Sequence, residues 1–92
     1  MKIVINTIYG GFHLNQDLAD LLDITTPTDA NETRTNPNLV AYVEAGQSIS
    51  EHKTCKVSVV EIPNEATDWE INEYDGLESV TFVFDGKLYH VW

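Results

Sequence analysis

The 92-residue sequence predicts one α+β domain, with two helices packed on one face of an antiparallel sheet of four to five strands. Three observations lead to this prediction. The chain is too short to divide into domains, so residues 1–92 are expected to share one core. Leucines at helical spacing follow the first apolar run. Two Asp-Gly pairs interrupt the β-rich C-terminal half, as hairpin turns do.

The chain begins with a predicted strand and a glycine turn. Residues 2–7 are mostly apolar and β-branched, which is typical of a buried strand. The segment Tyr9–His13 follows, with Gly10 and Gly11 between two aromatic residues. It lacks the lysine and the glycine spacing of a phosphate-binding loop. We therefore interpret it as a turn whose glycines adopt positive φ before a helix begins.

Two helices are predicted from apolar spacing and from their start and stop residues. The first covers about residues 15–23, with Asn15 as its N-cap. Its apolar residues lie at i, i+4, i+7 and i+8, namely Leu14, Leu18, Leu21 and Leu22. The second lies between Asn36 as N-cap and Gly46 just past its end. Residues 24–35, between the two helices, are polar and are predicted to form a loop.

The C-terminal half predicts a strand over residues 56–62 and then a meander with two hairpins. The second hairpin turns at Asp85-Gly86, because both central residues of a two-residue loop need positive φ. Counting outward from that turn places Phe82 opposite Tyr89. Such an aromatic pair is expected to stabilise the hairpin by up to ~1 kcal/mol.

The first hairpin raises a difficulty at its turn, Asp75-Gly76. Counting outward from a two-residue loop places Glu73 directly opposite Glu78, and like charges in that position destabilise a sheet. Two explanations are open. The loop is longer than two residues, or the acidic residues serve a purpose other than stability.

The charge of the chain is its strongest compositional signal. Fifteen acidic residues against five basic ones give a formal net charge of −10. Direct binding to nucleic acid depends on basic patches, and anionic membranes also attract basic segments, so neither role is expected. An acidic protein is instead attracted to basic protein surfaces, such as those that handle nucleic acid. The alternative is that the acidity only keeps the protein soluble.

The sequence predicts neither a metal site nor a cofactor site, and it predicts no catalytic residues. His13, His52 and His90 lack the spacing of metal ligands, and Cys55 is a lone cysteine that has no internal disulfide partner. His52 is near Cys55 in sequence, but that spacing alone does not position a nucleophile. No apolar run reaches the ~20 residues of a membrane span, and the start lacks signal-peptide features. We therefore expect a cytoplasmic protein.

Two sets of residues are candidate binding sites. The first set is acidic with one aromatic residue, and is expected to bind a partner protein: Glu70, Glu73, Tyr74, Asp75 and Glu78. The least favoured alternative is a small hydrolase that uses two carboxylates of this set as its catalytic groups. The second set would surround a small molecule, with a base stacked on an aromatic ring: Tyr9, His13 and Arg34. Arg34 is the sole arginine, and a pairing with one of the many acidic residues is its simpler interpretation.

Short blocks spread along most of the chain resemble a family of small uncharacterised proteins of tailed phages and prophages. The blocks occur in the same order: residues 3–6 (IVIN), 9–12 (YGGF), 34–40 (RTNPNLV), 60–63 (VEIP), 69–71 (WEI) and 73–76 (EYDG). Members of that family usually end in a His-Arg-x-Trp tail, whereas this chain ends in Leu88-Tyr89-His90-Val91-Trp92. The resemblance implies a viral accessory protein in the host cytoplasm, and it carries no established activity or catalytic residues.

Charge and resemblance together predict a non-enzymatic, phage-encoded inhibitor of a host defence complex, with a CRISPR interference complex as the best single candidate. Its acidic surface would dock on the basic surface of a host protein or ribonucleoprotein, in place of nucleic acid. The alternative is a protein that sequesters a nucleotide signal of host immunity. The sequence does not determine the oligomeric state.

Overall fold

A computed structural model of the chain describes residues 1–25, 31–49 and 56–91. These ranges contain five strands and three short helices. In chain order the elements are β1 (Lys2–Asn6), α1 (Gln16–Leu21), α2 (Asn31–Arg34), α3 (Pro37–Glu44), β2 (Val57–Glu61), β3 (Thr67–Tyr74), β4 (Leu77–Phe84) and β5 (Lys87–Val91). The α+β prediction is confirmed.

The strands form two antiparallel sheets, so each sheet is smaller than the one predicted. β1 pairs with β2, and Ile3 lies opposite Val60. β3, β4 and β5 form a three-stranded meander with β4 in the centre. The reason lies in β1, whose residues are buried on both faces from Ile3 onward. Each face of β1 can therefore cover a different layer of the protein.

The β1–β2 sheet lies between the helices and the three-stranded sheet, because alternate residues of a strand point to opposite faces. Val4 belongs to a buried cluster with residues of α1 and α3, such as Ala19 and Leu39. Ile3 and Ile5 belong to a second cluster, which contains Val80 and Phe82 of β4. Two cores therefore share one strand.

The helices α1 and α3 begin as predicted. The Asn15 side chain accepts a hydrogen bond from the N–H of Asp17, and α1 ends two residues earlier than expected. The Asn36 side chain accepts from the N–H groups of Asn38 and Leu39 at the start of α3. Gly46, just past the end of α3, has φ of 84°.

The sequence did not predict α2, because residues 24–35 have no apolar stripe that would indicate a helix. The residues that α2 buries are polar: Thr33 is fully buried and Arg34 is 3% exposed. Arg34 is the last residue of α2, and its side chain extends into the interior of the protein. The prediction of a loop throughout this segment is therefore wrong at Asn31–Arg34.

Both hairpins turn through two residues. The register of β4 and β5 is the predicted one, with Phe82 opposite Tyr89, and the two rings stack with centroids 5.3 Å apart. Asp85 and Gly86 both have positive φ, of 53° and 74°, as the two-residue loop requires.

Candidate functional site

The candidate site is built at the turn between β3 and β4. Asp75 and Gly76 have φ of 51° and 88°. Tyr74 pairs with Leu77, and Glu73 pairs with Glu78. The loop therefore has two residues, and it does place two glutamates opposite each other across the hairpin.

The two glutamates bind different groups. Glu78 is 5% exposed, and its carboxylate forms a forked pair with Arg34: Nη1 donates to Oε1 at 2.6 Å, and Nη2 donates to Oε2 at 2.9 Å. Glu73 is exposed and accepts a hydrogen bond from the N–H of Gly76. The positive charge of Arg34 and the turn N–H offset the repulsion that the register would otherwise produce.

The buried ion pair, Arg34 and Glu78, also contacts the glycine turn. The guanidinium carbon of Arg34 lies 3.7 Å from the centroid of the Phe12 ring, which is the geometry of a cation–π contact. The Nε atom of Arg34 is buried, and no residue in the described part of the chain accepts a hydrogen bond from it. Arg34 is therefore held by a carboxylate at its end and an aromatic ring on its face.

The same ion pair satisfies the free edge of β1. The N–H of Thr7 donates to the carbonyl of Lys56, just before β2. Backbone groups of successive residues in a strand point to alternate edges. Val4 and Asn6 are three residues and one residue before Thr7, so their backbone groups point to the edge of β1 that faces away from β2. There Arg34 Nη1 donates to the Val4 carbonyl at 3.2 Å, and the Asn6 N–H donates to Glu78 Oε1 at 2.8 Å. One donor and one acceptor side chain thus replace the strand that would pair with this edge.

The glycine turn contacts the hairpin turn directly. Gly10 donates its N–H to the Asp75 carbonyl at 2.8 Å. A Cβ atom on Gly76 would lie 2.0 Å from the backbone nitrogen of Gly11. Only glycine at position 76 allows the two backbones to approach this closely. The sequence predicts a turn at Gly10 and Gly11, but it carries no signal of their contact with Gly76.

Asn6 joins the same three segments with its side chain, and sequence reasoning missed it. Its Nδ2 donates to the carbonyls of Gly76 at 2.7 Å and Ile8 at 2.6 Å, and its Oδ1 accepts from the N–H of Lys56 at 2.8 Å. Asn6 is fully buried. The available signal was a lone amide at the end of an apolar strand, since such a side chain must find hydrogen-bond partners when buried.

A shallow cleft of about 300 Å³ lies beside the hairpin turn. We call it the tyrosine cleft; it is lined by Tyr9, Asn72, Glu73, Tyr74, Leu77 and Ser79. The rings of Tyr9 and Tyr74 meet edge to face, with centroids 6.4 Å apart and planes at 70°. Tyr9 is 60% exposed and Tyr74 is 71% exposed, so both rings are accessible to a partner.

Of the five residues expected to bind a partner, four are on the surface. Glu70, Glu73, Tyr74 and Asp75 are exposed, and we call these four residues the acidic tip. Glu78 is buried in the ion pair, so its carboxylate does not face a partner. Glu78 is therefore not assigned to the binding surface, and a change of its charge would also leave Arg34 without its partner.

The three residues of the alternative ligand set do not form a common site. Tyr9 lies on the tyrosine cleft, whereas Arg34 is buried against Phe12 and Glu78. His13 is exposed. A guanidinium already held by a carboxylate does not offer its charge to a phosphate, and the acidic residues around Tyr9 would repel one.

Ser79 and His90 form a hydrogen bond on the outer face of the three-stranded sheet, with Oγ and Nε2 2.8 Å apart. A serine beside a histidine is also the arrangement of a nucleophile and its base. Such chemistry needs N–H donors for an oxyanion. Ser79 lies on β4, where it pairs with Asn72 of β3, and His90 lies on β5, so the hydrogen bond joins two neighbouring strands of the sheet. We therefore assign this hydrogen bond to cross-strand pairing.

One exposed ion pair contrasts with the buried one. Lys2 Nζ and Glu44 Oε2 are 2.9 Å apart, and both side chains are 44% exposed. The hydrogen bond and the charge of Glu44 raise the pKa of Lys2 above its usual value. This pair joins β1 to α3 at the surface.

The described residues contain no group of three His, Cys, Asp or Glu side chains placed to hold a metal ion. No helix among them is long and apolar enough to cross a membrane. The expectations for Cys55 and His52 lie outside the described residues, as does Trp92.

Comparisons with protein-family models, with curated proteins and with solved structures found no match to this chain.

Proposed function

We propose that the protein is a non-enzymatic binding protein that docks its acidic tip on a basic surface of a host protein or ribonucleoprotein. One observation supports this most directly. The β3–β4 hairpin exposes the carboxylates of Glu73 and Asp75 next to Tyr74 at its turn and that of Glu70 farther along β3, and the backbone of the turn is held by the glycine turn. A pre-organised tip loses little conformational freedom when it binds.

The distribution of charge also supports this proposal. The chain has a formal net charge of −10, and its sole arginine is buried in an ion pair. Complementary charge accelerates association and excludes partners of the same sign. An exposed tyrosine beside the carboxylates supplies apolar contact area of the kind that dominates many interfaces.

A narrower proposal names the kind of partner. The resemblance of the sequence blocks to small phage proteins favours a phage-encoded inhibitor that acts in the host cytoplasm. The partner would be a host defence complex, with a CRISPR interference complex as the best single candidate. The inhibitor would cover basic surface that nucleic acid otherwise occupies. This step depends on the resemblance, whereas the basic-surface proposal depends on the acidic tip.

Two triple variants with equal net charge test the basic-surface proposal. The tip variant is E70Q/E73Q/D75N, and the control variant is E61Q/E65Q/D85N. Each removes three carboxylates, so both reduce the formal net charge from −10 to −7. Asp75 and Asp85 occupy equivalent positions in the two hairpin turns, with φ of 51° and 53°, and asparagine tolerates this conformation well.

The measurement is capture of host proteins on each immobilised variant, followed by the affinity of the purified partner. We expect the tip variant to lose the partner and the control variant to retain it. Binding by the unaltered protein should weaken strongly from about 50 to 500 mM salt. Equal loss in both variants, or affinity that does not change with salt, would contradict docking through the acidic tip.

For the narrower proposal, the assay is binding of target DNA by purified CRISPR interference complexes with and without the protein. We expect the unaltered protein to reduce DNA binding by at least one complex and the tip variant to leave it unchanged. If DNA binding stays unchanged throughout a panel while the protein still captures another basic partner, the CRISPR assignment fails and the basic-surface proposal remains.

The nucleotide-sequestering alternative has less support, because Arg34 is buried and the tyrosine cleft is bordered by carboxylates. A thermal-shift panel of nucleotides measures it directly. We expect no member of the panel to raise the melting temperature. A saturable increase with one nucleotide would favour this alternative over docking on a basic surface.

A further inference from the structure

The tyrosine cleft combines two chemical features that seldom occur together on an exposed surface. Its two tyrosine rings are 60% and 71% exposed, although aromatic side chains gain free energy when they are buried. Glu73 lines the same cleft, and Asp75 follows Tyr74 at the turn. The cleft thus offers aromatic faces and negative charge to whatever enters it.

Arginine is the side chain that uses both features at once. Its planar guanidinium stacks on aromatic rings and donates forked hydrogen bonds to carboxylates, whereas the lysine ammonium is a compact, strongly hydrated charge. The protein holds its own Arg34 in this way, with Phe12 on the face of the guanidinium and Glu78 at its end. Glu78 is the cross-strand neighbour of Glu73.

We propose that the tyrosine cleft receives an arginine side chain of the partner protein, stacked on Tyr74 or Tyr9 and paired with the carboxylates of the acidic tip. This inference rests on the proposed function, since it names the group on the basic surface that the tip recognises. It makes Tyr74 the central anchor of the interface and the acidic residues the source of its selectivity for a cation.

Two other occupants fit the cleft less well. A phosphate-bearing ligand would be repelled by Glu73 and its acidic neighbours. A second copy of this chain would bring the same negative tip, and its sole arginine, Arg34, is 3% exposed and already paired. The arginine must therefore come from a different protein.

The test is an NMR titration of the isotope-labelled protein at about 20 mM salt, where charge interactions are only weakly screened. Three probes are compared: hexa-arginine, hexa-lysine and hexa-citrulline, the last being an uncharged analogue of the arginine peptide. We expect hexa-arginine to shift the ring resonances of Tyr9 and Tyr74 and to bind about three- to tenfold more tightly than hexa-lysine. Hexa-citrulline should not bind measurably.

Variants then locate the binding. Tyr74→Ala and Tyr9→Ala should each weaken hexa-arginine binding by about three- to tenfold, whereas Tyr74→Phe keeps a ring and should retain it. Leu88→Ala is the matched control, because Leu88 is exposed to a similar degree, at 74%, on β5. It should leave the affinity unchanged. The amide spectrum of each variant checks that its fold is intact.

The result that would overturn the inference is equal affinity for hexa-arginine and hexa-lysine, together with no effect of either alanine variant. That result would leave the proposed function standing, because the acidic tip would then attract any basic segment. Absence of binding by hexa-arginine also overturns the inference, while the triple variants test the proposed function with the partner itself. The two failures are therefore distinguishable.

Discussion

At the scale of single residues, the buried ion pair of Arg34 and Glu78 joins α2, β4 and β1. Arg34 and Glu78 bind each other through two hydrogen bonds, and together they bind β1 through two more. Removing one partner of a buried pair leaves the other charge without compensation, which is more costly than removing both.

Arg34→Met is therefore expected to lower the free energy of unfolding by about 3–5 kcal/mol, because Glu78 would remain buried and unpaired. The double variant R34M/E78M should recover part of this loss. Denaturant unfolding monitored by circular dichroism measures both. Lys2→Met, which breaks the exposed pair with Glu44, is the control and should cause a much smaller change. Equal effects of the two single variants would contradict this account.

A second prediction at this scale concerns the contact between the two turns. Gly76→Ala should destabilise the protein more than Gly86→Ala does, although both glycines have positive φ, of 88° and 74°. A Cβ at position 86 meets nothing within 4 Å, so Gly86→Ala measures the backbone cost alone, about 1–2 kcal/mol. A Cβ at position 76 also collides with Gly11, which adds about 1–3 kcal/mol.

Thermal and denaturant unfolding of these two variants give the comparison directly. If Gly76→Ala and Gly86→Ala lower the stability equally, the close approach of the turns does not hold in solution. The glycine turn could also move away from the added Cβ of Gly76→Ala. In that case the amide resonances of Gly10 and Gly11 would change, and the loss of stability would be smaller.

At the scale of helices and strands, the sequence was most informative where structure depends on neighbouring residues. The Asp85-Gly86 turn predicted the register of β4 and β5, and Asn15 and Asn36 marked the helix starts, because turn geometry and capping are local. At Asp75-Gly76 the sequence left the length of the loop open, because Glu73 and Glu78 would face each other across a two-residue turn. The sequence was least informative about α2. A polar helical turn is stabilised by contacts with distant parts of the chain, and Arg34 binds Glu78, which is 44 positions away.

The same distinction explains what was missed at the candidate site. The acidic residues could be selected from the sequence as a group, but burial separates Glu78 from the other three, Glu70, Glu73 and Asp75. Nothing local to the β3–β4 hairpin distinguishes Glu73 from Glu78. The distinction arises from Arg34 and Asn6, which approach the hairpin from distant parts of the chain.

Helix capping supplies a prediction for α3. Asn36→Ala should lower the free energy of unfolding by about 0.5–2 kcal/mol, because the side chain accepts hydrogen bonds from two otherwise unpaired N–H groups. Asn36→Asp keeps an acceptor at the same position and should stay close to the unaltered protein. Denaturant midpoints measure both variants. An aspartate variant as unstable as the alanine variant would show that capping is not the function of Asn36.

At the scale of the whole molecule, the net charge works against the folded state. A formal charge of −10 on 92 residues means that most charged side chains repel one another. The described structure buries its arginine with a glutamate and leaves the acidic tip in solvent. The repulsion among these exposed carboxylates therefore lowers the stability of the isolated chain.

Salt should therefore stabilise the isolated protein. We expect the melting temperature to rise from about 20 to 300 mM sodium chloride, because screening weakens repulsion among exposed carboxylates more than it weakens a buried pair. The control variant E61Q/E65Q/D85N removes three of those carboxylates and should show a smaller rise. Differential scanning calorimetry measures both. A melting temperature that falls with salt would mean that attractive surface pairs outweigh the repulsion.

The ion pair at the edge of β1 has a consequence for self-association. A strand with an unsatisfied edge is a template on which another chain can add a strand, and proteins usually protect such edges. Here the protection consists of two side chains, one from a helical turn and one from a hairpin. Loss of Arg34 would therefore expose this edge to strand addition by another chain, in addition to lowering stability. We expect variants without Arg34 to form soluble aggregates as they unfold, which light scattering detects.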